Sequence, residues 1–169
     1  MTKQIFEGKK ILVLEREKWE YVERKKATEA VAIIALTEDD EVILTEQFRQ
    51  PVKSRVIDWP AGLVGDEGVN DPVATAKKEL EEETGFRCER VELLARGPSS
   101  PGITSEIVSL YRAHGVTRVG KGGGVEGEKI TVHVVPRSNV ARWLQEREKD
   151  GVLIDLKLWS GLHFVATSA

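Results

Sequence analysis

Three glutamates, Glu79, Glu82 and Glu83, recur at i, i+3 and i+4 within Lys78-Glu79-Leu80-Glu81-Glu82-Glu83-Thr84-Gly85-Phe86. That spacing places all three carboxylates on one face of a helix, where like charges repel by a few tenths of a kcal/mol per pair. Glutamate also sits poorly in a helix's last turn, because the dipole there favours cations. A divalent cation reverses both penalties, since a hard ion needs several oxygen ligands. A solvated acidic face carrying no ligand is the alternative, and a bare Glu-rich run does not choose between them.

The helix that must carry these groups has both ends written into the chain. Asp71 can accept from a free N–H of the first turn, Pro72 sits where a missing N–H costs nothing, and Gly85 suits a positive-φ cap. Val73, Ala76 and Leu80 recur at spacings of three and four, predicting a narrow apolar stripe. Upstream, Trp59-Pro60-Ala61-Gly62-Leu63-Val64 leads into a glycine-rich turn, whose glycines let backbone approach whatever the carboxylates hold.

A chain of 169 residues suits one ordinary domain with a proper core. Its net charge of −3 argues against general nucleic-acid affinity, which needs a basic field. Cys88 is the only cysteine, so no internal disulfide can form, and a packed thiol is its expected state. Met1 to Phe6 lacks the apolar run of a signal peptide, and the longest apolar run, Ala30 to Leu36, is too short to span a membrane. The expected setting is a reducing cytoplasm, with no nucleic acid or membrane partner. His114, His133 and His163 fall in different elements without ligand spacing, so packing or surface explains each better than metal.

Residues 5–28 alternate in short pieces, predicting a strand at Ile11 to Leu14 and another carrying Trp19 and Tyr21. Glu29 to Thr37 is nearly all apolar, as for a strand buried on both faces. Glu38-Asp39-Asp40 turns the chain into a return strand, Glu41 to Phe48, with Arg49 at its end. Further strands are expected at Val56 to Trp59, Val91 to Arg96, Ile107 to Ala113 and Ile130 to Val135. Gly115 to Glu128 is a long glycine-rich loop, but it is not a P-loop, since no Gly-Lys-Ser/Thr or helix follows. Ser138 is expected to cap a helix through Lys149, and Asp155 to Thr167 forms a last helix with Leu158, Leu162 and Val165 inward. This order predicts an α+β fold: an α/β/α sandwich with a mixed sheet at residues 29–169, preceded by an N-terminal antiparallel strand ribbon at residues 1–28.

The stretch from Trp59 to Phe86 resembles the Nudix box: Gly, five residues, Glu, seven residues, Arg-Glu, an apolar residue, any residue, Glu-Glu, any residue, Gly, an apolar residue. Residues 78–86 match its second half at every position but one. Lys78 stands where the family has Arg, Asn70 where it has its first Glu, and Val64 where it has Gly. The first Glu is mainly structural in the family, so the metal-binding part is expected to be kept. The resemblance implies that Glu79, Glu82 and Glu83, with the Ala61 carbonyl, hold Mg2+, or Mn2+ in its place, and that Glu82 also serves catalysis.

Ser100-Pro101-Gly102, about fifteen residues after Phe86, resembles the marker of the ADP-ribose branch. In that branch the match of Glu46-Gln47-Phe48-Arg49 implies that Arg49 binds the diphosphate. Glu106 would meet the terminal ribose hydroxyls, Trp19 of a dimerisation ribbon would offer an aromatic to the base, and Glu126 or Glu128 would act as catalytic base. The implied reaction is hydrolysis of the diphosphate bridge of ADP-ribose or another nucleoside diphosphate sugar, by a homodimer. The alternatives are a preference for GDP-mannose or dinucleotide polyphosphates, or a catalytically weak domain that senses a nucleotide sugar.

Overall fold

The computed structural model describes residues 1–27, 29–66, 68, 70–125 and 127–167. It begins with β1 (Thr2–Glu7), β2 (Ile11–Arg16) and β3 (Trp19–Arg24). These form a sheet of their own, antiparallel and in the order β1-β2-β3. Glu17 and Lys18 turn β2 into β3 at φ of 51° and 71°, the left-handed pair that a two-residue hairpin requires. The ribbon is fastened to the rest of the chain at Val22. Its N–H donates to the Ile103 carbonyl at 2.8 Å, and its carbonyl accepts from Ser105 N–H at 3.1 Å.

The body follows as β4 (Glu29–Ile34), β5 (Glu41–Arg49), β6 (Ser54–Asp58), β7 (Ala61–Val64), α1 (Pro72–Thr84), β8 (Phe86–Arg87) and β9 (Arg90–Pro98). Then come β10 (Ile107–His114), β11 (Thr117–Arg118), β12 (Thr131–Pro136), α2 (Val140–Lys149), β13 (Leu153–Ile154) and α3 (Leu156–Ala166). Two mixed sheets form, β7-β4-β10-β9 and β12-β5-β6-β13, beside a short β11-β8 pair. They meet just after β4, where Ile43 N–H donates to the Ala35 carbonyl at 3.0 Å and Leu36 bridges Val42.

Side-chain alternation along this strand divides the core in two. Val31, Ile33 and Ala35 pack with Ala76 and Leu80 of α1. Ala32 and Ile34 pack with Val140 and Leu144 of α2 and with Leu158 and Val165 of α3. Helices therefore cover both faces, and the expected α/β/α sandwich with mixed sheets is the observed α+β fold. Leu80, Leu144 and Leu158 are fully buried, and burying a leucine completely is worth about 2 kcal/mol, so each helix has one dominant anchor.

The corner between β6 and β7 ties the sheet to α3. Asp58, buried, accepts from the Lys157 ammonium and from Trp59 N–H at 2.8 Å, while Trp59 Nε1–H donates to the Lys157 carbonyl at 3.2 Å. Burial pushes the Asp58 carboxyl up to about 6 even though Lys157 opposes the shift.

Two local expectations need correction. Val73 is exposed, and the buried stripe of α1 runs Ala76, Leu80, Thr84 at a spacing of four, with the Thr84 hydroxyl satisfied by the Leu80 carbonyl. Ser138 caps no helix: it lies inside a one-turn 3-10 segment, Arg137–Asn139, and α2 opens without a side-chain cap bond. Ala61–Val64 forms β7, with Ala61 opposite Ala32, before the glycine-rich turn. Cys88 is buried, and that burial pushes its thiol up. Among the described residues no helix is long and apolar enough to cross a membrane.

Candidate active site

The ends of α1 set the phase of its glutamates. Asp71 accepts from the N–H groups of Val73 and Ala74 at 2.9 and 3.2 Å. Gly85, at φ 74°, donates its N–H to the Glu81 carbonyl at 2.8 Å. Between these caps Glu83 turns inward beneath β7, is buried, and accepts from Ala61 N–H at 3.0 Å. Glu79 lies across the backbone of Gly62, where any Cβ would overlap its carboxylate. Glu82 pairs with Lys78 at 3.1 Å. Glu81, one residue earlier, faces the other way and takes both arms of Arg87 at 2.9 Å.

The electrostatics gather more residues around this helix end. Burial pushes the Glu83 carboxyl up to about 8; the Glu79 and Glu128 charges add to the rise, while Ala61 N–H and Arg49 oppose it. Burial likewise pushes Glu79 up to about 7, against Lys78 and reinforced by Glu82, Glu128 and Asp66. Glu128 thus acts on both carboxyls, and Arg49, the last residue of β5, acts on Glu83, each from outside α1. Carboxyls held this high are short of positive charge, and their oxygens are the hard donors that Mg2+ or Mn2+ takes. Among the described residues no three His, Cys, Asp or Glu side chains stand as a ready-made cage. Lys78 engages one oxygen of Glu82 and Ala61 N–H one oxygen of Glu83, so an ion must compete with Lys78 at Glu82 while Glu83 offers it the lone pairs that Ala61 does not use. The donor chemistry fits the ion the resemblance implies.

Glu128 arrives by a route the sequence did not announce. Gly123 and Gly124 donate their N–H groups to the Glu83 and Glu82 carbonyls at 2.8 and 3.0 Å, and Val119 and Gly120 donate to the Gly85 carbonyl. The glycine-rich loop therefore caps the C-terminal turn of α1, satisfying carbonyls a helix end leaves unpaired. Gly122, at φ 67°, passes so close to the Thr84 backbone that a Cβ would overlap it. Beyond the cap, the Glu128 carboxylate accepts from Val125 N–H at 2.9 Å, and its carbonyl accepts from Gln47 Nε2 at 2.9 Å. Glu126 lies outside the described residues.

The remaining candidates stand elsewhere. Glu106 is engaged by Arg24 of the ribbon at 2.6 Å and by the Ser99 hydroxyl at 3.1 Å. Trp19 is 65% exposed and sits five residues along β3 from Arg24, about 16 Å away at strand rise. A cluster that sequence reasoning missed centres on Glu46. This buried carboxylate holds the Arg55 guanidinium and lies 2.7 Å from His133 Nε2, whose ring packs on Trp143 with centroids 4.9 Å apart. Burial pushes Glu46 up, but Arg55 and His133 together pull it below the usual carboxylate range. Its sequence signals were a charge inside an apolar strand and a place in Glu46-Gln47-Phe48-Arg49, and neither names its partners.

The sandwich has a solved counterpart in a crystal structure of an ADP compounds hydrolase, with a TM-score of 0.64, 20% identity, and 84% of this chain and 80% of that one covered. Residues 26–154 match the NUDIX domain, and the chain belongs to that family. It is 39% identical over 101 residues to the methanol dehydrogenase activator of Bacillus methanolicus, covering 60% of this chain and 54% of that protein. It is 35% identical over 116 residues to the ADP-ribose pyrophosphatase of Bacillus subtilis, covering 65% and 62%. The GDP-mannose pyrophosphatase of Cronobacter sakazakii is 32% identical over 136 residues, covering 76% and 68%. The chain thus spans less than two thirds of the length of the first two relatives.

Proposed function

We propose that this chain hydrolyses the diphosphate bridge of a nucleoside diphosphate sugar such as ADP-ribose, giving a nucleoside monophosphate and a sugar phosphate. The observation that carries the reading is the last turn of α1, where Glu83 is buried against Ala61 N–H, Glu79 lies against Gly62, and the charges of Glu128 and Arg49 act on Glu83 from outside the helix. Similarity to proteins named ADP-ribose pyrophosphatase and GDP-mannose pyrophosphatase supports the substrate class.

Glu79, Glu82 and Glu83, with the Ala61 carbonyl, would hold Mg2+ or Mn2+, whose charge offsets that of the diphosphate and acidifies water. Ala61 N–H keeps one Glu83 oxygen oriented. Water attacks one phosphorus, the bond from that phosphorus to the bridging oxygen breaks, and the bridging oxygen leaves with the second phosphoryl group. Glu128, or Glu126 two positions earlier in the sequence, takes the proton the attacking water loses. Arg49 offsets charge on the phosphoryl oxygens through paired, charge-assisted hydrogen bonds. Glu106 would accept from the hydroxyls of the terminal sugar, and Trp19 would offer its ring to the base across a homodimer.

A second reading, a catalytically weak domain that senses a nucleotide sugar, is favoured by the Lys78–Glu82 pair, which occupies one of the expected ligands. Phosphatase-coupled phosphate release, measured with and without Mg2+ on ADP-ribose, GDP-mannose and a dinucleotide polyphosphate, separates the two. Ion-dependent turnover is expected, fastest on a nucleotide sugar, with Glu83→Gln roughly a thousandfold slower and still folded. Binding without turnover establishes the sensor, and near-normal activity of Glu83→Gln removes the cation site.

A further inference from the structure

Arg24 and Glu106 are 82 residues apart in sequence, yet Arg24 Nε lies 2.6 Å from Glu106 Oε2. The Ser99 hydroxyl donates to the other oxygen at 3.1 Å, and Thr104 Oγ1 accepts from the Glu106 N–H at 3.1 Å. The backbone bonds of Val22 to Ile103 and Ser105 hold the two segments side by side. Arg24, Lys26, Glu29, Ser105 and Glu106 line a cleft of about 480 Å³. One wall of it adjoins the loop before α1, where the Lys26 carbonyl lies 2.9 Å from the place a Cβ on Gly65 would take.

An ionised carboxylate offers about four lone-pair sites. Arg24 and Ser99 use one on each oxygen, which leaves one on each for two further donors. Two adjacent hydroxyls of a sugar ring supply that number of donors at that spacing. A free glutamate would have to lose rotamer freedom on binding them, whereas one already fixed by a charge-assisted bond does not. We infer that Arg24 is a positioning residue: by fixing the Glu106 carboxylate it aims the two open lone pairs at a vicinal diol, so the N-terminal ribbon sets selectivity for the terminal sugar. This rests on the sugar-binding role of Glu106 in the proposed function.

The test compares kcat and KM for ADP-ribose and its 2-deoxy terminal analogue in the wild type, Arg24→Met, Arg24→Lys, Ser99→Ala and Glu106→Gln. Arg24→Met keeps the apolar stem and removes the charge. It should raise KM for ADP-ribose about tenfold with kcat within about twofold, and it should erase most of the preference over the deoxy analogue. Arg24→Lys should restore part of both, and Ser99→Ala should show a smaller change in the same direction. If Glu106→Gln raises KM while Arg24→Met does not, Arg24 has no positioning role and the sugar reading survives. A lower KM for Arg24→Met would mean that Arg24 masks Glu106, which also overturns the inference. If Glu106→Gln itself leaves KM and the deoxy preference unchanged, the sugar reading fails and this inference fails with it. Should Arg24→Met not fold by circular dichroism, Arg24→Gln and Ser99→Ala carry the same comparison.

Discussion

Glu79 and Glu83 are where the chain stores electrostatic strain. Both carboxyls titrate well above the ordinary value of 4.5, at about 7 and about 8. Between those limits the folded state keeps protons that the unfolded chain has released. Stability from these groups is therefore fullest below about pH 4.5 and falls as pH rises toward about 8. In the proposed function a divalent ion would take the place of those protons and cancel the loss. In chelator, the melting temperature should fall across this window, and the increment gained from Mg2+ should grow with pH, as read by thermal melts with and without the ion. An increment independent of pH would show that the two acids do not hold it. Asp58 shifts the same way, but it is not one of the proposed ligands and is held by Lys157 and Trp59 N–H, so the difference between loaded and chelated protein excludes it. The glutamate triad was legible because helical periodicity is local. Glu46 was not, because its partners Arg55 and His133 lie 9 and 87 residues away, and only the pairing of β5 with β6 and β12 brings them together.

At the level of elements, α1 was readable at both ends, since Asp71, Pro72 and Gly85 each act on the nearest turn. The loop that closes it was not. Nothing near Gly122 says that its backbone will rest on Thr84, because that contact exists only once β11 has paired with β8. A side chain at this position is excluded twice, by φ 67° and by the Thr84 backbone. Gly122→Ala should cost about 1–3 kcal/mol of stability. It should also lower kcat by more than it weakens Mg2+ binding, because the helix keeps its ligands while Glu128 loses its seat. Chemical denaturation and ion titration alongside turnover measure all three. Equal losses in kcat and ion affinity would mean that the loop only stabilises α1. Ser138 illustrates the reverse error, where a good capping residue preceded a helix that begins two positions later.

For the molecule as a whole, layer order followed from the sequence because strand parity and helix stripes report which side each element buries. How the ribbon attaches did not, since it depends on Val22 meeting Thr104 and Arg24 meeting Glu106, each across 82 residues. Every residue of β1 is exposed, with Ile5, Phe6 and Trp19 among the uncovered large apolar side chains. A strand edge left so open invites pairing with another chain. Light scattering should return twice the 18.8 kDa chain mass, and a monomeric value at working concentration would end the dimer proposal. The corner from Asp58 to Ala61 carries a consequence of its own. Within four residues the chain is bonded to Lys157 at one end and to Glu83 at the other. A tag or truncation that tugs on the last helix would therefore tilt a carboxylate on the far wall of the sheet, dimming the chemistry without touching a single reacting atom.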